Sequence, residues 1–222
     1  MSYIEKMQAI LTAHANDENA FHMEKYMRNQ FMFLGIKTPL RKKLTQQFFK
    51  ETKIKEEDFQ PEFVRSLWQS IEREYQYVAM DYIGLSLKKL RKEDLFLLEE
   101  LITTKSWWDT ADMLAQKAVG KIASDHPEVI SEIIEEWNKS GNMWLQRSAL
   151  LFQLKYKEHT DEKLLYRFIN DHASSKEFFI QKAIGWVLRE YSKTNPDSVK
   201  QFISRNQLAK LSVREGSKYL TK

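Results

Sequence analysis

Glycine and proline are scarce in this chain, six and four among 222 residues, where typical usage is about 7% and 5%. Sandwiches, barrels and doubly wound sheets all need many tight turns, and those turns draw on Gly and Pro. A chain this poor in both is left with long helices joined by short polar loops. The fold class expected is therefore all-α. Charged residues make up 30% and hydrophobic residues 42% of the chain, a balance that excludes intrinsic disorder. No run of about 18 apolar residues is present to cross a membrane. The absence of cysteine removes disulfides, thiolate metal sites and cysteine nucleophiles together. The opening Met-Ser-Tyr-Ile-Glu-Lys-Met lacks the basic and apolar regions of a secretion signal, so a cytoplasmic protein is expected.

Helical periodicity runs nearly from end to end. Thr38-Pro39 predicts a Thr N-cap with Pro at the first helical position, opening a helix through Phe48 and Phe49. Further helices are expected to start near Asp17, Pro61, Glu93, Ser106, Pro127, Asp161, Lys176 and Pro196. No linker rich in Gly, Ser or Pro divides the chain, which reads as one domain over residues 1–222. A weak internal repeat is anchored on Ala79, Ala118, Ala149 and Ala183. Each anchor is followed by an apolar group on a second helix: Leu95 and Leu98, Ile133 and Ile134, Leu164 and Leu165, Val199 and Phe202. A small residue lets two helices approach closely, and repeats of this length predict a stack of helical hairpins, a HEAT-like solenoid. An irregular all-α bundle is the alternative.

The net charge of +4 is unevenly spread. Residues 1–50 carry eight basic and four acidic groups, and residues 151–222 carry fourteen and eight, whereas acidic groups outnumber basic ones between them. Two basic ends around an acidic middle suit a nucleic-acid surface or two ordinary solvated faces. The common nucleotide and hydrolase signatures are absent, and His14, His22, His126, His159 and His172 show no metal-ligand spacing. All five are read as surface or loop residues. Asn138-Lys139-Ser140 matches a glycosylation sequon by chance.

Two groups of residues suggest chemistry. In Lys105-Ser-Trp-Trp-Asp-Thr-Ala-Asp112, a regular helix would set Trp108, Asp112, Ala115, Val119 and Ile122 within about 80° of one another. Asp112 would then lie beside an indole at the edge of an apolar stripe, partly desolvated, as reactive carboxylates are. An N-terminal-turn Asp favoured by the helix dipole explains the same spacing. The second group is Trp144 with Arg147, then Lys182, Trp186 and Arg189. Spacing of three places each Arg beside its Trp, which suits cation–π contact, phosphate recognition, or an Arg stem packed on a half-buried ring. Lys25 to Arg28 and Arg41-Lys42-Lys43 add basic groups near aromatics.

Four stretches together resemble one family: Tyr26-Met-Arg-Asn-Gln-Phe-Met-Phe-Leu-Gly-Ile-Lys-Thr-Pro39, the Lys105–Asp112 segment, Trp144-Leu-Gln-Arg147, and the segment from Ser175 to Pro196. They are similar to the AlkD-type DNA alkylation repair glycosylases, and the likeness runs on to Val213-Arg-Glu-Gly216. The resemblance implies a right-handed superhelical solenoid of HEAT-like hairpins whose concave groove binds duplex DNA. It implies a monomeric, monofunctional glycosylase without metal or cofactor, hydrolysing the N-glycosidic bond of cationic alkylated purines such as 3-methyladenine and 7-methylguanine. The lesion would stay stacked in the duplex. Asp112 matches the catalytic carboxylate and Trp108 and Trp186 the aromatic pair flanking the lesion's deoxyribose. Arg147 matches a cleft arginine near the DNA backbone, Tyr26 a supporting aromatic at the DNA surface, and Lys182 and Arg189 phosphate contacts. A non-catalytic helical-repeat protein that binds damaged or distorted DNA is the alternative.

Overall fold

A computed structural model describes residues 1–220, and all regular secondary structure among them is helical. The contacts divide the chain into two compact units, Met1–Leu90 and Arg91–Lys222.

The first unit holds α1 (Tyr3–Thr12), α2 (Asp17–Tyr26), α3 (Thr38–Thr52), α4 (Pro61–Gln69) and α5 (Arg73–Leu85). A capping box between Ser2 and Glu5 opens α1, satisfying backbone N–H groups that a helix start leaves without partners. Thr38 is the first helical residue of α3, with Lys37 at the N-cap and no side-chain cap bond. The expected Thr cap is therefore displaced by one residue, and Pro39 alone sets the start, its fixed φ suiting the first turn. Phe48, Phe49, Phe63 and Tyr82 pack as one aromatic core, with ring centroids 5.4–6.0 Å apart. The connection between α2 and α3 is held from within by Glu74. Its carboxylate accepts the backbone N–H groups of Leu34, Gly35 and Ile36 at 2.9–3.0 Å. Gly35 has φ +83°, and a Cβ there would stand 1.9 Å from the Asn16 carbonyl oxygen, so only glycine fits.

The second unit begins with α6 (Asp94–Thr103) and α7 (Trp108–Met113). A π-helical stretch, Leu114–Val119, joins α7 to α8 (Gly120–Asp125), and a second one, Ile130–Ile134, leads into α9 (Glu135–Lys139). Then come α10 (Met143–Leu151), α11 (Glu162–Asp171), α12 (Phe178–Tyr191), α13 (Pro196–Arg205) and α14 (Lys210–Gly216). Asn142, Asp161 and Asn195 cap α10, α11 and α13 through their side-chain oxygens. Helix α10 is central, packing on α6, α7, α9, α11 and α12, while α12 packs on α10, α13 and α14.

All four alanine anchors are buried, none more than 1% exposed. Their partners on the second helices are buried as well, except Ile133, which is half-buried while Ile134 is fully covered. The π stretch changes one expectation. Bonding from i to i+5 lowers the angle advanced per residue, so a regular helical wheel loses phase beyond Met113. Leu114, Ala115, Ala118, Val119 and Ile122 are all buried, a wider covered face than the single stripe the periodicity predicts.

Candidate active site

The second unit brings three of its helices to one buried ion pair. Asp112 lies on α7, one residue before that helix ends, and is 7% exposed. Arg147 lies on α10 and is 5% exposed. Its Nε donates to Asp112 Oδ1 at 2.7 Å and its Nη2 donates to Oδ2 at 2.9 Å. This two-pronged contact holds the plane of the carboxylate as well as its position. The third helix, α12, supplies the Phe179 carbonyl oxygen, which accepts from Arg147 Nη1. With three guanidinium nitrogens engaged inside the protein, Arg147 is locked in place. A spacing of three sets it near its helix neighbour Trp144; the carboxylate that holds it is Asp112, 35 residues away in sequence.

Burial pushes the Asp112 carboxyl above its ordinary value, the Arg147 guanidinium draws it back, and the neighbouring Asp109 adds to the rise. Both oxygens accept N–H bonds, the arrangement that the ionised form satisfies.

An aromatic cluster adjoins the guanidinium through Phe179. Phe179 stands 5.3 Å from Trp107 and 5.0 Å from Trp144, and the two indoles are 5.9 Å apart, measured between ring centroids. The Arg147 guanidinium carbon is 5.9 Å from the Phe179 ring. Trp107 is the extended N-cap of α7, so the chain turns into the helix between the two indoles of the doublet. Reading one residue at a time missed Trp107 and Phe179. The doublets Trp107-Trp108 and Phe178-Phe179 are the signal that could have found them, because adjacent residues on a helix point about 100° apart and reach different neighbours.

Trp108 is the first residue of α7 and is half-buried. Trp186, also half-buried, lies on α12 with Lys182 four residues before it and Arg189 three after. At about 100° per residue, Phe179, Lys182, Trp186 and Arg189 fall along one face of that helix. The opposite face is buried through Ile180, Ala183, Ile184, Val187 and Leu188. Lys182 and Arg189 both pair with Glu215 of α14, at 3.3 and 3.0 Å. Tyr26 belongs to the first unit, exposed at the last residue of α2.

Among the described residues no group of three or more His, Asp or Glu is arranged to hold a metal ion, and no helix is long and apolar enough to cross a membrane. His172 is half-buried, its Nε2 2.9 Å from Asn138 Oδ1.

Residues 7–220 match the family model of the DNA alkylation repair enzyme. The chain belongs to that family. A solved structure described as a "Predicted DNA alkylation repair enzyme from Enterococcus faecalis" is 38% identical, with a TM-score of 0.85 over 94% of this chain and 97% of that one. A second, from Streptococcus mutans UA159 and known as smu.31, shares the fold at 21% identity, with a TM-score of 0.57 over 82% of this chain and 100% of that one. No protein of curated function matches. Membership in the DNA alkylation repair family makes a role in alkylation repair, and DNA as substrate, part of what this chain is.

Proposed function

We propose that this member of the DNA alkylation repair family is a monofunctional DNA glycosylase acting on cationic alkylated purines in duplex DNA, 3-methyladenine and 7-methylguanine among them. The observation that carries the proposal is the Asp112 carboxylate, buried on α7 and held in one orientation by Arg147.

A purine alkylated on a ring nitrogen already carries positive charge and leaves as a neutral molecule. Its departure needs neither a general acid nor a Lewis acid. Positive charge develops on the deoxyribose as the C–N bond breaks. A fixed carboxylate stabilises that charge, and does so more strongly where water is scarce. The same carboxylate orients the water that attacks the sugar and accepts its proton. Indole faces attract cationic sugars and bases by roughly 0.5–2 kcal/mol, the role proposed for Trp108 and Trp186. The lesion is proposed to stay stacked in the duplex, as the resemblance to the AlkD-type glycosylases implies. Arg147 acts as a positioning residue: with its donors committed to Asp112 and Phe179, it aims the carboxylate. Tyr26, Lys182 and Arg189 are proposed to contact the DNA. The protein works as a monomer in the compartment that holds the chromosome.

A second reading, recognition of damaged DNA without cleavage, draws on the same ion pair. Both Asp112 oxygens are already engaged, as they would be in a purely structural bridge. The test is release of free 3-methyladenine or 7-methylguanine from methylated duplex. Release that depends on Asp112 supports the glycosylase; duplex binding without release supports the second reading.

A further inference from the structure

Glu215 gathers four cations around one carboxylate. Its Oε2 accepts from Lys218 Nζ at 2.6 Å and from Arg189 Nη1 at 3.0 Å; its Oε1 lies 3.3 Å from Lys182 Nζ and 3.7 Å from Arg214 Nη2. The carboxylate is buried and the cations are not. The Glu215 side chain is 8% exposed, against 37% for Lys182, 72% for Arg214 and 48% for Lys218. The glutamate reaches this place because α12 and α14 meet through Gly185, where a Cβ would stand 2.5 Å from Glu215 Cβ.

One negative charge beneath four positive ones leaves a surplus of three on a small patch, with the cations held by a shared floor. A solvated charged face would spread its lysines and arginines apart, because like charges repel. Here they converge on one carboxylate. The face of α12 that supplies Lys182 and Arg189 also carries Trp186 and Phe179, the residue whose carbonyl oxygen holds Arg147. A tetrahedral oxyanion with several acceptor oxygens matches such a set of donors.

We propose that Lys182, Arg189, Arg214 and Lys218, with Glu215 as their floor, form a cradle for a backbone phosphate of the DNA duplex. This rests on DNA as the substrate and adds α14 to the interface. Glu215 is a positioning residue in it, replacing mutual repulsion of the cations by convergence.

The test is duplex binding as a function of salt, on the full chain, with Arg214→Gln and Lys218→Gln compared with the same change at Arg205. That residue is exposed at the end of α13 and lies outside the cluster. Removing one phosphate contact lowers the slope of log K against log salt by about 0.9. Arg214→Gln and Lys218→Gln are each expected to lower it, by up to that amount because the remaining cations still face the same phosphate, and equally on methylated and unmethylated duplex. Arg205→Gln is expected to leave it within error. Equal slopes for all three variants would mean a diffuse field and overturn the cradle, as would unchanged slopes for Arg214→Gln and Lys218→Gln. Base release measured on the same samples separates the two claims. Release with unchanged slopes removes the cradle and leaves the glycosylase; lowered slopes without release remove the glycosylase and leave the cradle. Absence of any duplex binding by the wild type removes both.

Discussion

Arg147 grips Asp112 through two nitrogens, Nε to Oδ1 at 2.7 Å and Nη2 to Oδ2 at 2.9 Å, with both residues nearly covered. A buried carboxylate in this grip is oriented but remains costly to keep ionised. Desolvation raises its pKa and the guanidinium lowers it, so the state of Asp112 depends on Arg147.

Arg147→Met is expected to shift the acid limb of the base-release profile to higher pH. The guanidinium is what opposes the rise caused by burial, so without it the carboxyl protonates more readily and more alkaline solution is needed to ionise it. Stability should fall by about 3–5 kcal/mol, the usual cost of leaving one partner of a buried pair alone. Arg147→Lys keeps the charge but gives up the two-pronged grip, and should lie between the two. A pH–rate profile for each variant checks this; an unmoved acid limb would show that Arg147 does not govern Asp112.

Trp186→Ala should lower kcat/KM for methylated duplex about 2- to 30-fold, the range that removing a cation–π attraction of roughly 0.5–2 kcal/mol allows. Trp186→Phe should fall less, since a smaller ring face remains. Single-turnover rates on one defined lesion decide the matter, and equal rates for Ala and Phe would argue against an electrostatic role for the ring.

Glu215 makes a prediction of opposite sign to Asp112. Its surrounding cations, Lys218 first, hold its pKa down at about 2 from an ordinary 4.5. A carboxyl depressed by folding stabilises the folded state above its unfolded value, and that contribution is lost as pH falls through the folded one. The wild type should therefore be more stable than Glu215→Gln at neutral pH. The gap should close as pH drops from about 4.5 towards about 2. Urea unfolding of both proteins across that window measures it.

Two glycines separate packing from helix propensity. At Gly185 a new Cβ would meet Glu215 Cβ at 2.5 Å and the Ser212 carbonyl oxygen at 3.1 Å, so Gly185→Ala should cost about 1–3 kcal/mol by overpacking α12 against α14. At Gly84, in α5, nothing lies within 4 Å of a new Cβ, so Gly84→Ala should stabilise by about 0.5–1 kcal/mol. Thermal or chemical unfolding of the pair reads both signs.

The helical class was legible from the scarcity of Gly and Pro, and the hairpin anchors from four alanines that are indeed buried. These are local properties, carried by residues near in sequence. What the sequence left hidden depends on distance or on hydrogen-bond geometry. A spacing of three linked Arg147 to Trp144, whereas the partner that holds it is 35 residues away. The π stretch from Leu114 to Val119 has no compositional mark, and it shifts the phase of the helical residues that follow it as far as Asp125. Lys182 and Arg189 were legible as a basic pair beside Trp186, but Glu215 beneath them was not, because it arrives on another helix.

The central claim is that Asp112 performs the chemistry rather than bracing α7 against α10. The most direct measurement is free base released from methylated duplex by the wild type and by Asp112→Asn, with duplex binding followed in parallel. Asparagine keeps the shape and one acceptor oxygen but removes the charge. Release by the wild type and a loss of at least about 10²-fold in the variant, with binding held within a few-fold, is the predicted result. Release by Asp112→Asn at the wild-type rate would contradict it.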